Sequence, residues 1–427
     1  MTIIDLAKKN KPNSDMRQVA KTENVDIKTL SARIAAGAVS IPKNNLRKNN
    51  AKFKVTGIGK GLKTKVNANI GTSPDRISLQ KELEKLDTAI KAGADTVMDL
   101  STGGNLRKIR QAVISHSTIP VGTVPIYEAG CETKRKNKDI TQMDPEQMFE
   151  AIERHAADKV DFITVHCGVT KKSAEIYQRQ KRVCGVVSRG GAFLIKWIIA
   201  NNRENPLYEQ YDRLLDIAYK YDVTLSLGDG LRPGSIIDAS DKLQLSELYT
   251  LAELVMRARK RNVQTIVEGP GHMPINQIVD HIKLQKRITK EAPYYLLGPL
   301  VTDVAPGYDH ITSAIGAGIA ASAGADFICY VTPAEHLRLP DNDDVRLGVI
   351  ASRIAGHAGD IVKNVHNAAN WDREFSIARK KLQWDKQQKL ALDPIKFAHE
   401  RKKYHSSTKN VCTMCGQFCS MRETNDI

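Results

Sequence analysis

The chain lacks long apolar runs and is poor in aromatic residues. Its longest apolar runs, such as residues 192–200, are far shorter than a bilayer span, and this one contains Lys196. The first residues show no charged segment followed by an apolar one, so we expect no secretion signal and a cytoplasmic location. Aromatic residues make up 5% of the chain and are not interleaved with basic ones to stack bases. We therefore expect neither membrane nor nucleic-acid binding, although the formal net charge is +16.

Cysteines are also few, and their odd number of seven argues against a framework of disulfides. Three of them, Cys412, Cys415 and Cys419, lie within eight residues near the C-terminus. Their spacing suits an iron–sulfur cluster in which one iron has no cysteine ligand and can bind a substrate. Two alternatives are a zinc site with His405 as the fourth ligand and three cysteines on one face of a terminal helix.

The middle of the chain alternates short β-rich runs with amphipathic stretches, from about residue 59 to residue 359. Repeated strand–helix units predict a parallel sheet with crossover helices, and roughly 300 residues of them predict an α/β fold of the (β/α)8 barrel type. Nine runs have strand character, so one of them, 186–188 or 294–297, is expected to be a loop. The predicted strands are 64–70, 96–100, 120–126, 162–167, 186–188, 224–227, 265–268, 294–297 and 327–331.

Three regions are predicted along the chain. Residues 1–58 form an irregular, partly helical N-terminal lead-in, with a polar linker or surface loop at 44–54. Residues 59–368 form the barrel. Residues 369–427 form a C-terminal helical hairpin that ends in the cysteine motif, and its second helix is expected to start at Asp393 and Pro394.

Polar, glycine-rich motifs follow most of the predicted strands. In a parallel barrel the active site lies at the carboxyl ends of the strands. One such turn is ordinary connection chemistry, but seven of them, each with a titratable or amide residue, indicate an enzyme. The motifs are residues 67–73, 98–104, 166–168, 188–191, 229–232, 268–272 and 332–336.

Three of these motifs suggest specific ligands. Ser188, Arg189 and two glycines precede an apolar helix, an arrangement that binds a phosphate or simply caps the helix. His272 and His336 lie near glutamates at two strand ends, so they either share a metal ion or hydrogen-bond at the barrel mouth. The cysteines Cys131, Cys184 and Cys329 are interpreted as ordinary buried or loop residues.

Taken together, these strings resemble the phosphomethylpyrimidine synthase family of radical S-adenosylmethionine (SAM) enzymes. The resemblance covers nearly the whole chain, most densely over residues 55–368 and again at the cysteine motif. The motif differs in one respect: this chain has three residues between the second and third cysteines, whereas longer relatives have four. The matching strings are residues 65–73, 98–104, 164–170, 187–191, 226–235, 268–272, 298–316 and 330–336.

The resemblance implies a homodimer with a tail that can cover the partner's barrel, a 4Fe–4S cluster on Cys412, Cys415 and Cys419, and zinc on His272 and His336. It implies SAM as co-substrate, an electron donor such as flavodoxin or ferredoxin, and 5-aminoimidazole ribotide as substrate. The product is the thiamine pyrimidine phosphate or, in a sister enzyme, 5-hydroxybenzimidazole. Asp229, Glu268 and His166 are the candidates for proton transfer. The implied substrate contacts are Asn69, Met98, Tyr127, His166, Ser188, Arg189, Gly190, Asp229, Gly230, Leu231, Arg232, Glu268 and Tyr295.

Two rival functions belong to other classes. A zinc hydrolase or lyase on the same barrel predicts activity in air without SAM. A nucleic-acid-binding protein with a cysteine knuckle predicts salt-sensitive binding, but a pure binding module has no need of seven polar strand ends.

Overall fold

A computed structural model describes residues 1–47, 52–365, 367–408 and 410–424. Over these residues the strands are β1 (Val39–Ser40), β2 (Ile58–Gly59), β3 (Lys65–Ile70), β4 (Thr96–Asp99), β5 (Val121–Thr123), β6 (Phe162–Val165), β7 (Thr224–Leu227), β8 (Thr265–Gly269), β9 (Tyr294–Leu297) and β10 (Phe327–Cys329). Each strand from β3 to β10 pairs in parallel with the next, and β10 pairs with β3, which closes the barrel. The predicted (β/α)8 barrel is confirmed.

Helices follow the strands and surround the barrel. The barrel region contains α4 (Leu79–Ala92), α5 (Leu106–His116), α6 (Pro125–Arg135), α7 (Pro145–Ala157), α8 (Lys171–Arg179), α9 (Arg189–Asn201), α10 (Pro206–Glu209), α11 (Tyr211–Tyr221), α12 (Lys242–Lys260), α13 (Ile275–Ile288), α14 (Asp309–Ala323) and α15 (Asn342–Lys363). Three short 3-10 helices span Ile140–Gln142, Ile236–Asp238 and Gly416–Phe418. No helix within the described ranges has the length and apolar composition needed to cross a membrane.

Local sequence explains where these elements begin and end. Ser78 caps α4 by accepting a hydrogen bond from the backbone N–H of Lys81, and Gly93 ends the helix in the left-handed conformation that glycine adopts most easily. The predicted strand 120–126 is wrong beyond Thr123, because Pro125 begins α6 at the position where a helix tolerates proline best. Of the two doubtful runs, 294–297 is β9, whereas 186–188 is the loop that leads into α9.

Aromatic side chains fill the barrel near the N-terminal ends of its strands. Phe162 and Phe327 are fully buried, with ring centroids 6.4 Å apart in an edge-on contact. Gly122 makes room for Phe162, since a Cβ atom there would lie 2.3 Å from the ring. Tyr295 stacks on Phe327 with 4.2 Å between ring centroids. This packing leaves open space only toward the C-terminal ends of the strands.

The N-terminal region packs against the other end of the barrel. It contains α1 (Ile3–Lys8), α2 (Ser14–Glu23) and α3 (Ile27–Ala35), and it is therefore more regular than the sequence suggested. The backbone N–H of Ile3 donates to Asp222 and that of Ile41 donates to Gln264, just before β7 and β8 begin. Of the predicted loop at 44–54, residues 48–51 lie outside the described residues, and Asn44 is fully buried rather than on the surface. The region boundaries at 58 and 368 stay predictions.

The C-terminal region has three consecutive helices before the cysteine motif rather than the predicted hairpin. They are α16 (Ala368–Lys380), α17 (Trp384–Leu390) and α18 (Pro394–Lys403), and a short α19 (Ser420–Glu423) follows the cysteines. Asp393 caps α18 as expected, with Pro394 in the first helical position. Along α16 to α18 only Ala368, Ala378 and Gln387 are buried, so these helices pack loosely on the rest of the chain.

Candidate active site

The polar strand ends surround a cavity of about 90 Å³ at the C-terminal mouth of the barrel. Eight of the implied substrate contacts line it, and residues from all eight barrel strands or the segments that follow them contribute. The lining residues are Asn69, Met98, Leu100, Val124, Tyr127, Thr164, His166, Asp229, Arg232, Glu268, Gly269, Tyr295, Leu297 and Cys329.

Three charged side chains meet on one side of this cavity. Arg232 donates from Nη1 to Oδ1 of Asp229 over 3.2 Å. Oε1 of Glu268 accepts hydrogen bonds from Ser226 at 2.7 Å and Thr164 at 2.8 Å. Burial raises the pKa of Asp229 to about 8 against the opposing charge of Arg232, and burial also raises the pKa of Glu268. Carboxyl groups with such a raised pKa can exchange protons near neutral pH.

His166 lies beside these groups as a neutral imidazole. It is 2% exposed, and burial followed by the charge of Arg232 lowers its pKa to about 3. Its Nε2 lies 3.2 Å from the hydroxyl of Ser188. Gly190 packs against the ring so closely that a Cβ atom there would lie 2.3 Å from Cε1 of His166. The glycine is therefore needed to seat the imidazole.

The predicted phosphate motif lies just outside the cavity. Ser188 caps α9, because its hydroxyl accepts from the backbone N–H of Gly191 at 3.2 Å. The Arg189 guanidinium stacks over Tyr127 at 4.7 Å from the ring centroid and lines two adjoining clefts. The capping interpretation is confirmed, while phosphate binding stays a prediction.

The remaining implied contacts, Gly230 and Leu231, do not line the cavity. Leu231 is fully buried, and the backbone of Gly230 presses against α9. A Cβ atom on Gly191 would lie 1.8 Å from the carbonyl oxygen of Gly230. The two loops 188–191 and 229–232 are therefore in backbone contact.

The two predicted metal-binding histidines are brought together. The ring centroids of His272 and His336 are 5.4 Å apart. Nδ1 of His272 lies 2.8 Å from Asp303, and Nδ1 of His336 lies 3.3 Å from Asp309. Carboxylates on Nδ1 leave both Nε2 atoms as ligands, which is how proteins orient histidines toward zinc. The imidazole donors therefore suit zinc, with further ligands needed from water or substrate.

The cysteine motif is not helical, so the alternative of three cysteines on one helix face is wrong. The backbone has a single 3-10 turn at Gly416–Phe418, and Gly416 adopts a positive φ of 54°. Cys412, Cys415 and Cys419 are free, which suits iron ligation by thiolates. His405 is exposed. No group of three or more His, Cys, Asp or Glu side chains in the described ranges is already arranged to hold a metal ion.

Several functional contacts were missed by the sequence argument. Thr164 and Ser226 orient Glu268, and Asp303 and Asp309 orient the histidines. For Thr164 and Ser226 the sequence did offer a signal, because they are polar side chains inside predicted strands. Cys329, interpreted as an ordinary residue, is buried as expected but lines the cavity, where its Sγ lies 3.0 Å from Nδ2 of Asn69.

The chain is similar to known proteins over nearly its whole length. The sequence matches the Radical SAM ThiC family over residues 2–426. A phosphomethylpyrimidine synthase from Moorella thermoacetica is 56% identical over 422 residues, which is 99% of this chain and 97% of the relative. One from Dehalococcoides mccartyi strain BAV1 is 55% identical over 421 residues, again 99% of this chain and 97% of the relative.

A solved structure of dihydropteroate synthase from Coxiella burnetii, in complex with pteroic acid, covers 72% of this chain and 96% of its own. It is 14% identical with a TM-score of 0.41, which is too low to carry an argument. The family match and the close relatives, by contrast, span almost every residue and confirm the resemblance seen in the sequence. The chain belongs to the radical SAM ThiC family of enzymes.

Proposed function

We propose that this enzyme rearranges 5-aminoimidazole ribotide to 4-amino-5-hydroxymethyl-2-methylpyrimidine phosphate, the pyrimidine precursor of thiamine. The observation that carries the proposal is the convergence of Asp229, Arg232, Glu268 and His166 on one cavity at the barrel mouth. A concave site that combines a few fixed polar groups with apolar side chains suits a small molecule. The names of relatives that are 56% and 55% identical support the same activity.

Different polar side chains contact different parts of the substrate. Asp229, Glu268 and the neutral His166 position the imidazole and ribose and are the candidates for moving protons. Arg189 and the first backbone N–H groups of α9 hold the phosphate, because a helix N-terminus and a guanidinium both attract anions. The substrate would thus lie from the cavity out to the adjoining clefts that Arg189 lines.

Apolar residues form the rest of the cavity wall. Leu100, Val124 and Leu297 line it together with Met98. Apolar side chains around the substrate would limit the access of water and so protect reactive intermediates from side reactions. In this proposal the barrel acts mainly by placing the substrate and shielding it.

The metal-binding side chains indicate which cofactors the enzyme would hold. Cys412, Cys415 and Cys419 would hold the 4Fe–4S cluster, and His272 and His336 would hold zinc. The cluster and SAM together supply a 5′-deoxyadenosyl radical when bound. Asp303 and Asp309 keep the Nε2 atoms of the two histidines available by binding their Nδ1 atoms.

We further propose a cytoplasmic homodimer in which the cysteine tail reaches the partner's barrel, with a flavodoxin or ferredoxin as electron donor. The loose packing of α16 to α18, in which only Ala368, Ala378 and Gln387 are buried, supports a tail that docks elsewhere. Membership of a radical SAM family excludes the zinc hydrolase as the main activity.

The test is an anaerobic assay of the reconstituted enzyme with SAM, a reductant and 5-aminoimidazole ribotide. Pyrimidine phosphate and 5′-deoxyadenosine, identified by mass, are the expected products. Formation of 5-hydroxybenzimidazole instead would overturn the proposed product and assign the sister activity. Absence of deoxyadenosine from enzyme with a verified cluster would overturn the proposal as a whole.

A further inference from the structure

Arg182 lies outside the cavity, yet each of its five guanidinium N–H donors has a partner. Nε and Nη2 bind the two carboxylate oxygens of Asp241 at 2.7 and 2.8 Å. Nη2 also donates to the carbonyl of Leu231 at 2.8 Å, and Nη1 donates to the carbonyls of Arg232 and Gly185, both at 3.3 Å. The side chain is 0% exposed, although it belongs to a surface loop. Such a fork of donors cannot be reproduced by lysine.

Glu247 holds the same turn from the other side. It is 2% exposed on α12, and its Oε2 accepts a hydrogen bond from the backbone N–H of Leu231 at 2.7 Å. Its Oε1 has no hydrogen-bond partner in the described structure, and burial raises the pKa of Glu247 well above its usual range. A neutral carboxyl group at this place binds the backbone without adding a second buried negative charge near Asp229.

The turn between these two side chains carries the ion pair of the active site. Both the N–H and the C=O of Leu231 are bound by side chains, and the N–H of Arg232 donates to the carbonyl of Asp229 at 3.2 Å. Neither Arg182 nor Glu247 lines the candidate substrate cavity, although Glu247 lines a smaller cavity behind Asp229 and Arg232. Their contacts therefore act on the backbone that places these two side chains.

The same loop also joins the phosphate motif to the turn. After Arg182, the backbone N–H groups of Val183 and Cys184 donate to the carboxylate of Asp238 at 2.9 and 3.0 Å. This loop continues into Ser188, the cap of α9. Arg182 therefore ties the segment that leads to Ser188–Gly190 to the segment that carries Asp229 and Arg232.

We propose that Arg182 and Glu247 are positioning residues that fix the Asp229–Arg232 turn relative to the start of α9 at Ser188–Gly190. They would thereby set the distance between the groups that bind the two ends of a phosphorylated substrate. The substrate chemistry rests on the proposed function, but the fixing of the turn does not.

The kinetic test uses Arg182→Lys, Arg182→Ala and Glu247→Leu in the full-length reconstituted enzyme. We expect kcat/KM for the ribotide to fall by ~10–100-fold in each, mainly through KM, because small displacements of binding groups are costly. Millimolar guanidinium should restore part of the activity of Arg182→Ala, and Glu247→Gln should stay within about threefold of the wild type because it keeps the acceptor oxygen.

The matched control is Arg259→Lys. Arg259 binds two backbone carbonyls, of Gly37 and Lys290, at the opposite end of the barrel. This variant should keep its KM. Wild-type kinetics in Arg182→Lys, or equal losses in Glu247→Gln and Glu247→Leu, would overturn the proposal. One further pair of results would overturn it. Guanidinium would fail to restore activity to Arg182→Ala, and Arg182→Lys and Arg259→Lys would lose activity equally, in proportion to their loss of melting temperature.

Hydrogen exchange tests the turn without any substrate. The peptide that contains Leu231 and Arg232 should exchange slowly in the wild type. It should exchange at least about tenfold faster in Arg182→Ala and Glu247→Leu, because each variant loses a side chain that binds the backbone of this turn. Unchanged exchange would overturn the positioning role. If exchange changes as expected while the wild type does not consume the ribotide, the proposed function fails and the positioning of the turn stands.

Discussion

Arg232 donates a hydrogen bond to the buried carboxyl group of Asp229, which is only half satisfied by it. Nη1 of Arg232 donates to Oδ1 of Asp229 at 3.2 Å, whereas Oδ2 has no hydrogen-bond partner in the part of the chain that the structure describes. A buried carboxylate oxygen without a partner is costly unless a proton or a ligand satisfies it. The pair is therefore poised to bind a donor group of the substrate or to take up a proton.

Replacing Asp229 by Asn should lower kcat/KM by ~10²-fold or more, the usual contribution of a positioned acid–base group. The pKa of Asp229 is raised to about 8, so the wild-type kcat/KM should change across that pH if the group acts in turnover. In Asp229→Asn, kcat/KM should no longer change with pH in this range. An unchanged pH profile in the variant would exclude Asp229 from proton transfer.

The same raised pKa predicts how stability depends on pH. The folded protein keeps its proton on Asp229 up to about pH 8, while the unfolded chain releases it near 4. Between these values the folded state binds more protons, so this group makes the free energy of unfolding fall as pH rises. Denaturant titrations at pH 5 and pH 8 should show a smaller decrease for Asp229→Asn than for the wild type. An equal decrease would contradict the buried, protonated state.

Gly190→Ala should displace His166, because the new Cβ atom would lie 2.3 Å from Cε1 of the imidazole. We expect a loss of kcat/KM of at least about tenfold together with destabilisation by ~1–3 kcal/mol from overpacking. Gly318→Ala on α14 is the matched control, since the nearest atom to its Cβ is the carbonyl oxygen of Ala355 on α15, 3.9 Å away. That variant should be unchanged or slightly more stable. Equal activity in the two variants would mean that the position of His166 is unimportant.

Much of the fold was predictable because it depends on local pattern. The strands at 224–227 and 294–297 were predicted to the residue, since each is a short, largely apolar run that a glycine follows at once. The strand predicted at 120–126 was too long, because the effect of Pro125 on a helix start outweighed the β-character of its neighbours. Local pattern fixed the type of element better than its end.

The site could be predicted only where strand ends carry its residues. Asp229, Glu268 and His166 follow from the rule that parallel strands end at one face. Asp303 and Arg182 could not be found this way, because they lie in loops and act through contacts with distant segments, at His272 and at Leu231. Such contacts depend on how loops cross the barrel mouth, which a single sequence does not encode in its periodicity.

Asp303→Asn should weaken metal binding at the two histidines. Asp303 binds Nδ1 of His272 at 2.8 Å, and loss of such a partner usually lowers metal affinity by ~10–100-fold. Zinc affinity, measured by competition with a chelator, should show this loss without any need for turnover. Asp139→Asn, an exposed carboxylate in a surface ion pair with Lys196, is the control. Wild-type zinc affinity in Asp303→Asn would contradict a zinc site at His272.

The most direct test of the central claim is the response of the cysteine motif to substitution. Cys412→Ala, Cys415→Ala and Cys419→Ala should each abolish the cluster absorbance, the formation of 5′-deoxyadenosine and the turnover of 5-aminoimidazole ribotide in the anaerobic assay. Cys184→Ala, which alters an exposed cysteine elsewhere, should leave all three intact. Retained deoxyadenosine formation in any one of the three motif variants would contradict the account.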